Sequence, residues 1–296
     1  MKIVSTFRQA RDLSQERVGL VPTMGYLHEG HLSLIEAASD GNDTVVVSIF
    51  VNPLQFNETT DLDSYPRDIE RDASLAHKAG ADILFVPDAE YMYPAEPRVT
   101  VSVSEVSGGM EGAHRPGHFA GVATVVAKLF AGIQPDSAYF GRKDAQQLAV
   151  VRTMGSDLGF PINVHGMPIV REFDGLALSS RNVKIDPALR TSARSLSSGL
   201  SLAADAFEAG EMASGVLKRI VGDRLGAEQS VRVEYVEVAR SKDAAIVDTI
   251  DSEVFLAVAA RVGNVRLIDN VHLDPGTGAA DRGLRLKEPS ILYGGS

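Results

Sequence analysis

The chain has 296 residues, 44% of them hydrophobic and 23% charged, a globular composition with enough apolar material for a large core and more than one domain. A net charge of −10 argues against an extended nucleic-acid surface, and no apolar run approaches the roughly 20 residues that a membrane helix needs. With no cysteine, disulfides, thiol nucleophiles and thiolate metal sites are excluded, and an N-terminus Met1-Lys2-Ile3-Val4 without a secretory apolar run makes a cytoplasmic location the expectation.

Apolar, β-branched runs predict strands at 18–21, 44–51 and 83–86, alternating with helical stretches at 31–39 and 68–79, the rhythm of a parallel sheet. The run at 44–51 is apolar on both faces, as a central strand covered by helices would be. Helices follow over 122–133 and 144–158, with strands at 137–140 and 162–164, and parallel order continues to about residue 170. A long helix opening on Asp186-Pro187 is expected over 186–209, then another over 213–221, then three strand-like runs at 231–239, 254–258 and 265–270 that suggest a small antiparallel sheet.

The expected fold class is therefore α/β, a Rossmann-like parallel sheet in an N-terminal domain with a smaller α+β C-terminal domain. The expected boundaries are 1–172 for the first domain, 173–275 for a second, lid-like domain, and 276–296 for a mobile tail rich in Gly, Pro and charge.

Ligands of parallel sheets sit at the carboxyl ends of strands, and the unusual residues fall just after predicted strands. After the first comes Pro22-Thr23-Met24-Gly25, then Tyr26-Leu27 and His28-Glu29-Gly30-His31. A helix start offers unpaired N–H groups and a positive dipole end, and two imidazoles add donors, so the turn reads as phosphate-handling; a plain helix cap is the alternative. Two His three apart without cysteine do not suit zinc. Gly141-Arg142-Lys143-Asp144 puts a cation and a carboxylate at another helix start, either for a nucleotide or as a solvated cap. Gln55 and Gln147 can each donate and accept toward a polar substrate. The stretch 174–182, with Leu178, Ser179, Ser180 and Arg181, reads either as a mobile anion-binding lid or as a linker with a capping serine. Arg115-Pro116-Gly117-His118-Phe119 is a further basic turn.

Together with Phe50-Val51-Asn52-Pro53-Leu54-Gln55-Phe56, Tyr65-Pro66-Arg67 and Gln146-Gln147, these ordered motifs closely resemble the pantothenate synthetase family over residues 1 to about 270. The His-x-Gly-His element alone would resemble only the wider nucleotidyltransferase superfamily shared with class I aminoacyl-tRNA synthetases. The resemblance implies an ATP-dependent ligase: pantoate attacks the α-phosphate of ATP, pyrophosphate leaves, and β-alanine attacks the pantoyl adenylate to give pantothenate and AMP.

By the same resemblance, His28, His31, Lys143 and Arg181 are catalytic, with His31 as proton donor. Met24, Gly25, Tyr26, Leu27, His28, Glu29, Gly30, His31, Gly141, Arg142, Lys143, Asp144, Val170, Leu178, Ser179, Ser180 and Arg181 line ATP. Gln55 and Gln147 hold pantoate, Gln55 also lies beside β-alanine, Mg²⁺ rides mainly on the ATP phosphates, and a homodimer is implied. Where the family often carries an acidic pair, this chain has Arg71-Asp72, and Ala120 stands where a charged residue is common, so protein ligands to the metal are left unassigned and Asp72 remains one candidate. The alternatives are another adenylyl or nucleotidyl transferase of the superfamily, disfavoured by Gln55 and Gln147, and a non-catalytic nucleotide sensor, disfavoured by the intact His, Lys and Arg positions.

Overall fold

The computed structural model describes residues 1–56, 62–63 and 65–293. Its contacts separate into two units: Met1–Leu27, His31–Gly141 and Val150–Met167 form the first, and His28–Gly30, Arg142–Ala149 and Pro168–Ser296 the second.

The first unit holds a six-stranded parallel sheet made of β1 (Lys2–Val4), β2 (Val18–Thr23), β3 (Thr44–Ile49), β4 (Ile83–Phe85), β5 (Ser137–Gly141) and β6 (Asn163–Met167), in the order β1-β4-β3-β2-β5-β6. Every residue of β3 is buried, which is why its sequence shows no alternation. The longer helices are α1 (Phe7–Leu13), α2 (Glu29–Gly41), α3 (Ile69–Lys78), α4 (His118–Ile133) and α5 (Ala145–Asp157). Asp68 caps α3 by accepting the Arg71 N–H at 3.0 Å, which explains its start. On α4, Gly121 is required by close approach: a Cβ there would meet the Leu54 carbonyl oxygen at 2.3 Å, so the 3₁₀ turn Pro53–Gln55 rests directly on this helix. The strands expected at 18–21, 44–51, 83–86, 137–140 and 162–164 all form. β1 and α1 are too short for periodicity to show, although the Thr6–Gln9 capping box marks the start of α1.

The second unit contains an antiparallel sheet in the order β11-β10-β9-β8, from β8 (Val231–Arg240), β9 (Val254–Val262), β10 (Val265–Asp274) and β11 (Ala279–Asp281). Leu196, Leu200 and Phe207 of α6 (Ser195–Glu208) and Leu217, Val221 and Leu225 of α7 (Ser214–Gly226) pack with Val238, Leu256, Val258 and Leu273 into one core. The helix expected over 186–209 is interrupted. Asp186 and Pro187 start a 3₁₀ turn at Pro187–Leu189, a single helical turn follows at Arg190–Ala193, and only then does α6 begin.

The longest stretch of the second unit runs from Pro168 onward, and within it β7 (Val170–Arg171) pairs with β12 (Leu284–Arg285) instead of joining the large sheet. Within residues 276–293, β11 pairs with β10 and β12 with β7. Backbone pairing orders this segment, and Gly- and Pro-rich composition does not report such pairing. Residues 294–296 lie outside the described residues. No helix among the described residues is long and apolar enough to cross a membrane.

Candidate active site

In the first unit, β2 neighbours both β3 and β5, so the chain leaves β2 for one side of the sheet and later returns on the other. Such a reversal leaves a crevice at the carboxyl ends of the strands, and β2 ends at Thr23. The Thr23 hydroxyl donates to the Ser48 carbonyl at 2.8 Å and accepts the Gly25 N–H at 3.1 Å. Gly25 (φ +85°) and Tyr26 (φ +53°) both take left-handed backbone, a strained conformation for tyrosine that must be held by its surroundings.

The holding group is Asp72. Its carboxylate, 0% exposed, accepts the N–H groups of Tyr26 and Leu27, each at 2.7 Å, while Arg71 donates to the Leu27 carbonyl at 2.9 Å and lies 5.1 Å from the centre of the Tyr26 ring. Burial pushes the Asp72 carboxyl above its ordinary value of 3.8, against the lowering by the two N–H groups and Arg71. With each oxygen accepting a backbone N–H, Asp72 shapes the turn.

Gln55 is fixed from several directions within the same unit. The Asn52 amide donates to its side-chain oxygen at 3.1 Å and to the Gly121 carbonyl at 3.1 Å, its own amide donates to the Met24 sulfur at 3.0 Å, and the Tyr93 hydroxyl donates to Asn52 at 3.1 Å. Burial pushes the Tyr93 phenol up to about 12, so it stays a neutral donor. Of the basic turn at 115–119, His118 Nδ1 lies 2.9 Å from the Gln55 carbonyl, and Arg115 lies 3.0 Å from His118 Nε2. Met24, Gly25, Tyr26, Leu27, His31 and Gln55 thus belong to one unit, with half-buried His31 on the first turn of α2.

The second unit gathers the other candidates. His28 is buried, the Gly30 N–H points at its Nδ1 from 3.2 Å, and a Cβ on Gly30 would meet the imidazole at 3.0 Å, so this glycine lets the ring lie against the backbone. The Asn270 side-chain amide donates to the carbonyls of Arg142 (3.0 Å) and Lys143 (2.8 Å), tying the Lys143 segment to β10. Arg142 faces Asp281 at 3.3 Å and Lys143 lies 3.9 Å from Asp144, while Gln147 is half-buried on α5. The Val170 carbonyl accepts the Leu178 N–H at 2.9 Å, joining two of the candidates. Ser179 accepts the Arg181 N–H at 3.3 Å, so it does cap the turn that carries Ser180 and Arg181.

That loop is anchored by Glu172, also 0% exposed. Its Oε1 accepts from Asn182 at 2.6 Å, and its Oε2 forms an ion pair with Arg190 at 2.6 Å. Asp174 accepts from Arg190 at 2.8 and 3.1 Å. Burial pushes the Asp174 carboxyl up, but the Arg190 and Leu176 donors outweigh it and hold it below 3.8. The sequence reading missed Asp72, Asn270, Glu172 and Asn182 as site-shaping residues. Asp72 and Asn270 act on the backbone of distant segments, and Glu172 and Asn182 act through each other, pairings that leave no periodic trace in the sequence. Among the described residues, no group of three or more His, Asp and Glu is placed to hold a metal ion.

A family model described as pantoate-beta-alanine ligase matches residues 1–272. A pantothenate synthetase of Heliobacterium modesticaldum is 48% identical over 277 residues, covering 92% of this chain and 99% of that relative, and one of Moorella thermoacetica is 51% identical over 257 residues, covering 87% and 91%. The solved pantothenate synthetase of Thermus thermophilus is similar with a TM-score of 0.87 at 46% identity, covering 91% of this chain and 98% of that one. A solved pantoate-beta-alanine ligase of Francisella tularensis, described as complexed with beta-gamma ATP and beta-alanine, gives 0.70 at 30% identity, covering 91% and 97%. The chain belongs to the pantoate–beta-alanine ligase family.

Proposed function

We propose that this ligase joins pantoate to β-alanine at the expense of ATP through a pantoyl adenylate, with Mg²⁺ entering on the ATP phosphates. The observation that carries the reading is the constrained turn Met24–His31, a helix start with glycines at close-approach positions and two imidazoles, in a chain whose solved relative is described as complexed with beta-gamma ATP and beta-alanine.

In the first step a pantoate carboxylate oxygen bonds to the α-phosphorus and the bond to the β-phosphate oxygen breaks, releasing pyrophosphate. Both reactants are anions, so cations and donors must offset their repulsion and the charge on the leaving group. His28, His31, Lys143 and Arg181 have that role, His31 as proton donor to the leaving phosphate. The N–H groups of the Met24–His31 turn, the segment Gly141–Asp144, the Val170 backbone and the loop Leu178–Arg181 hold the nucleotide. Gln55 and Gln147 hold pantoate, and Gln55 also orients β-alanine. In the second step the neutral amine of β-alanine attacks the acyl carbon, AMP departs with the anhydride electrons, and the amine loses a proton. A Mg²⁺ held by substrate phosphates suits a hard cation that keeps few protein ligands, and it offsets phosphate charge when bound. The reaction is placed in the cytoplasm, and two copies pair as a homodimer, which light scattering at micromolar concentration would test.

Exchange of labelled pyrophosphate into ATP tests the adenylate. It should require pantoate and Mg²⁺ but not β-alanine, and should be lost in His31→Ala and Lys143→Ala. Exchange without pantoate would instead favour another acceptor.

A further inference from the structure

Residues 276–293 lie beyond the stretch that the family model matches, yet they are tied into the second unit along their length. Arg282 pairs with Asp205 at 2.6 Å and Glu208 at 2.8 Å. Gly283 (φ +84°) passes so close to Ile169 that a Cβ would meet its carbonyl oxygen at 2.2 Å, and this approach lets β12 pair with β7 in the register Leu284↔Val170.

The chain then reaches the two segments that carry the proposed nucleotide contacts. Buried Ser290 donates from its hydroxyl to Glu29 Oε2 at 2.7 Å, and the Ile291 N–H donates to Glu29 Oε1 at 2.8 Å, so both oxygens of that carboxylate are engaged. Two residues later the Tyr293 hydroxyl donates to Glu172 Oε1 at 3.0 Å and accepts from Arg190 at 2.9 Å, in the cluster that anchors the Leu178–Arg181 loop. Burial, with the Glu172 charge beside it, pushes the Tyr293 phenol up to about 12, so it remains a donor at neutral pH.

Glu29 is a carboxylate on the first turn of α2, next to His28 and Gly30, where a triphosphate would approach. Left to rotate, it would repel the phosphates or fold back on the amides they need. We propose that the C-terminal segment is a strap for the nucleotide site: Ser290 and Ile291 hold the Glu29 carboxylate in a fixed orientation, Tyr293 braces the Glu172–Arg190 anchor of the second loop, and Ser290 and Tyr293 are therefore positioning residues for ATP. The proposal rests on the reading of these segments as the ATP site.

The test uses the 296-residue chain, its Ser290→Ala and Tyr293→Phe variants, and a chain ending at Lys287. Dissociation constants for Mg·ATP are read by titration, together with separate KM values for ATP and β-alanine. Loss of a hydrogen bond to a charged group predicts about a tenfold weaker Mg·ATP dissociation constant in Ser290→Ala, less in Tyr293→Phe and more in the truncated chain. The KM for β-alanine should stay within about twofold, with the ATP effect concentrated in KM rather than kcat. A melting point that falls while both ATP constants stay within about twofold would reduce the segment to a structural clasp and overturn the proposal. If the truncated chain does not fold, Ser290→Ala, which removes one oxygen, decides. If the wild type binds Mg·ATP but forms no pantothenate, the ligase reading fails by itself, while the titration still decides the strap.

Discussion

Asn270→Ala separates positioning of Lys143 from stability of the fold. The Asn270 amide makes two neutral hydrogen bonds to the Arg142 and Lys143 carbonyls, at 3.0 and 2.8 Å, and each is worth about 0.5–1.5 kcal/mol. Removing both takes about 1–3 kcal/mol of constraint from the segment. The other end of the side chain offsets part of this, because its Oδ1 is buried without a hydrogen-bond partner, so its removal relieves a desolvated acceptor. The net loss then falls near 1–2 kcal/mol, and at 1.4 kcal/mol per tenfold the kcat/KM for ATP should drop by about 5- to 30-fold if Lys143 must be held to act. Asn270→Asp is the sharper change, since it sets carboxylate oxygens against two carbonyls and should be worse than alanine. Steady-state kinetics with varied ATP, alongside calorimetric melting, give the order native, then Ala, then Asp. Values for both variants within about twofold of native, or an Asp variant as active as Ala, would refute the positioning argument.

Other substitutions probe the remaining supports. Gly30→Ala places a Cβ 3.0 Å from the His28 imidazole, so the ring must shift by a few tenths of an ångström; turnover should fall while the melting point changes little, and unchanged turnover would mean that the ring position is not critical. Asp72→Ala strips the acceptor from the Tyr26 and Leu27 N–H groups, a cost of about 1–3 kcal/mol each that is partly offset because burial already disfavours the ionised carboxyl. A net loss near 2 kcal/mol in denaturant unfolding, with a raised KM for ATP, is expected. Asp174 carries an acid dependence: its folded value lies below 3.8, so its contribution is complete above that pH and is lost as pH falls through the folded value. The native protein should therefore lose stability more steeply below about pH 4 than Asp174→Asn, and parallel curves would count against the Arg190 pairing. Asp72 has the opposite sign, with stability falling as pH rises from 3.8 through its raised value.

The parallel sheet was legible because its strands are continuous apolar runs and the residues that follow them are unusual. Val45, Val46 and Val47 announce a buried central strand, and Pro22 to His31 announce a strand end with chemistry after it. β12 was not legible, since two residues paired in parallel with β7 leave no periodic trace and their order comes from a close approach at Gly283. The interruption within 186–209 was hidden for a related reason: helix propensity continues through Arg190, whose guanidinium is drawn to Glu172 and Asp174 by contacts between segments. Of the candidate site, the residues proposed to meet a substrate are those marked by motif and strand end. Their supports are not so marked, because Asp72 reaches back 46 residues to Tyr26 and Asn270 reaches back 127 residues to Lys143.

The most direct test of the ligase reading is product formation from pantoate, β-alanine and Mg·ATP, with each substrate omitted in turn. Pantothenate, AMP and pyrophosphate should form in equal amounts only when all three are present, and His31→Ala should abolish all three products together. Pantothenate absent from the complete mixture, or AMP formed at the same rate without β-alanine, would contradict it.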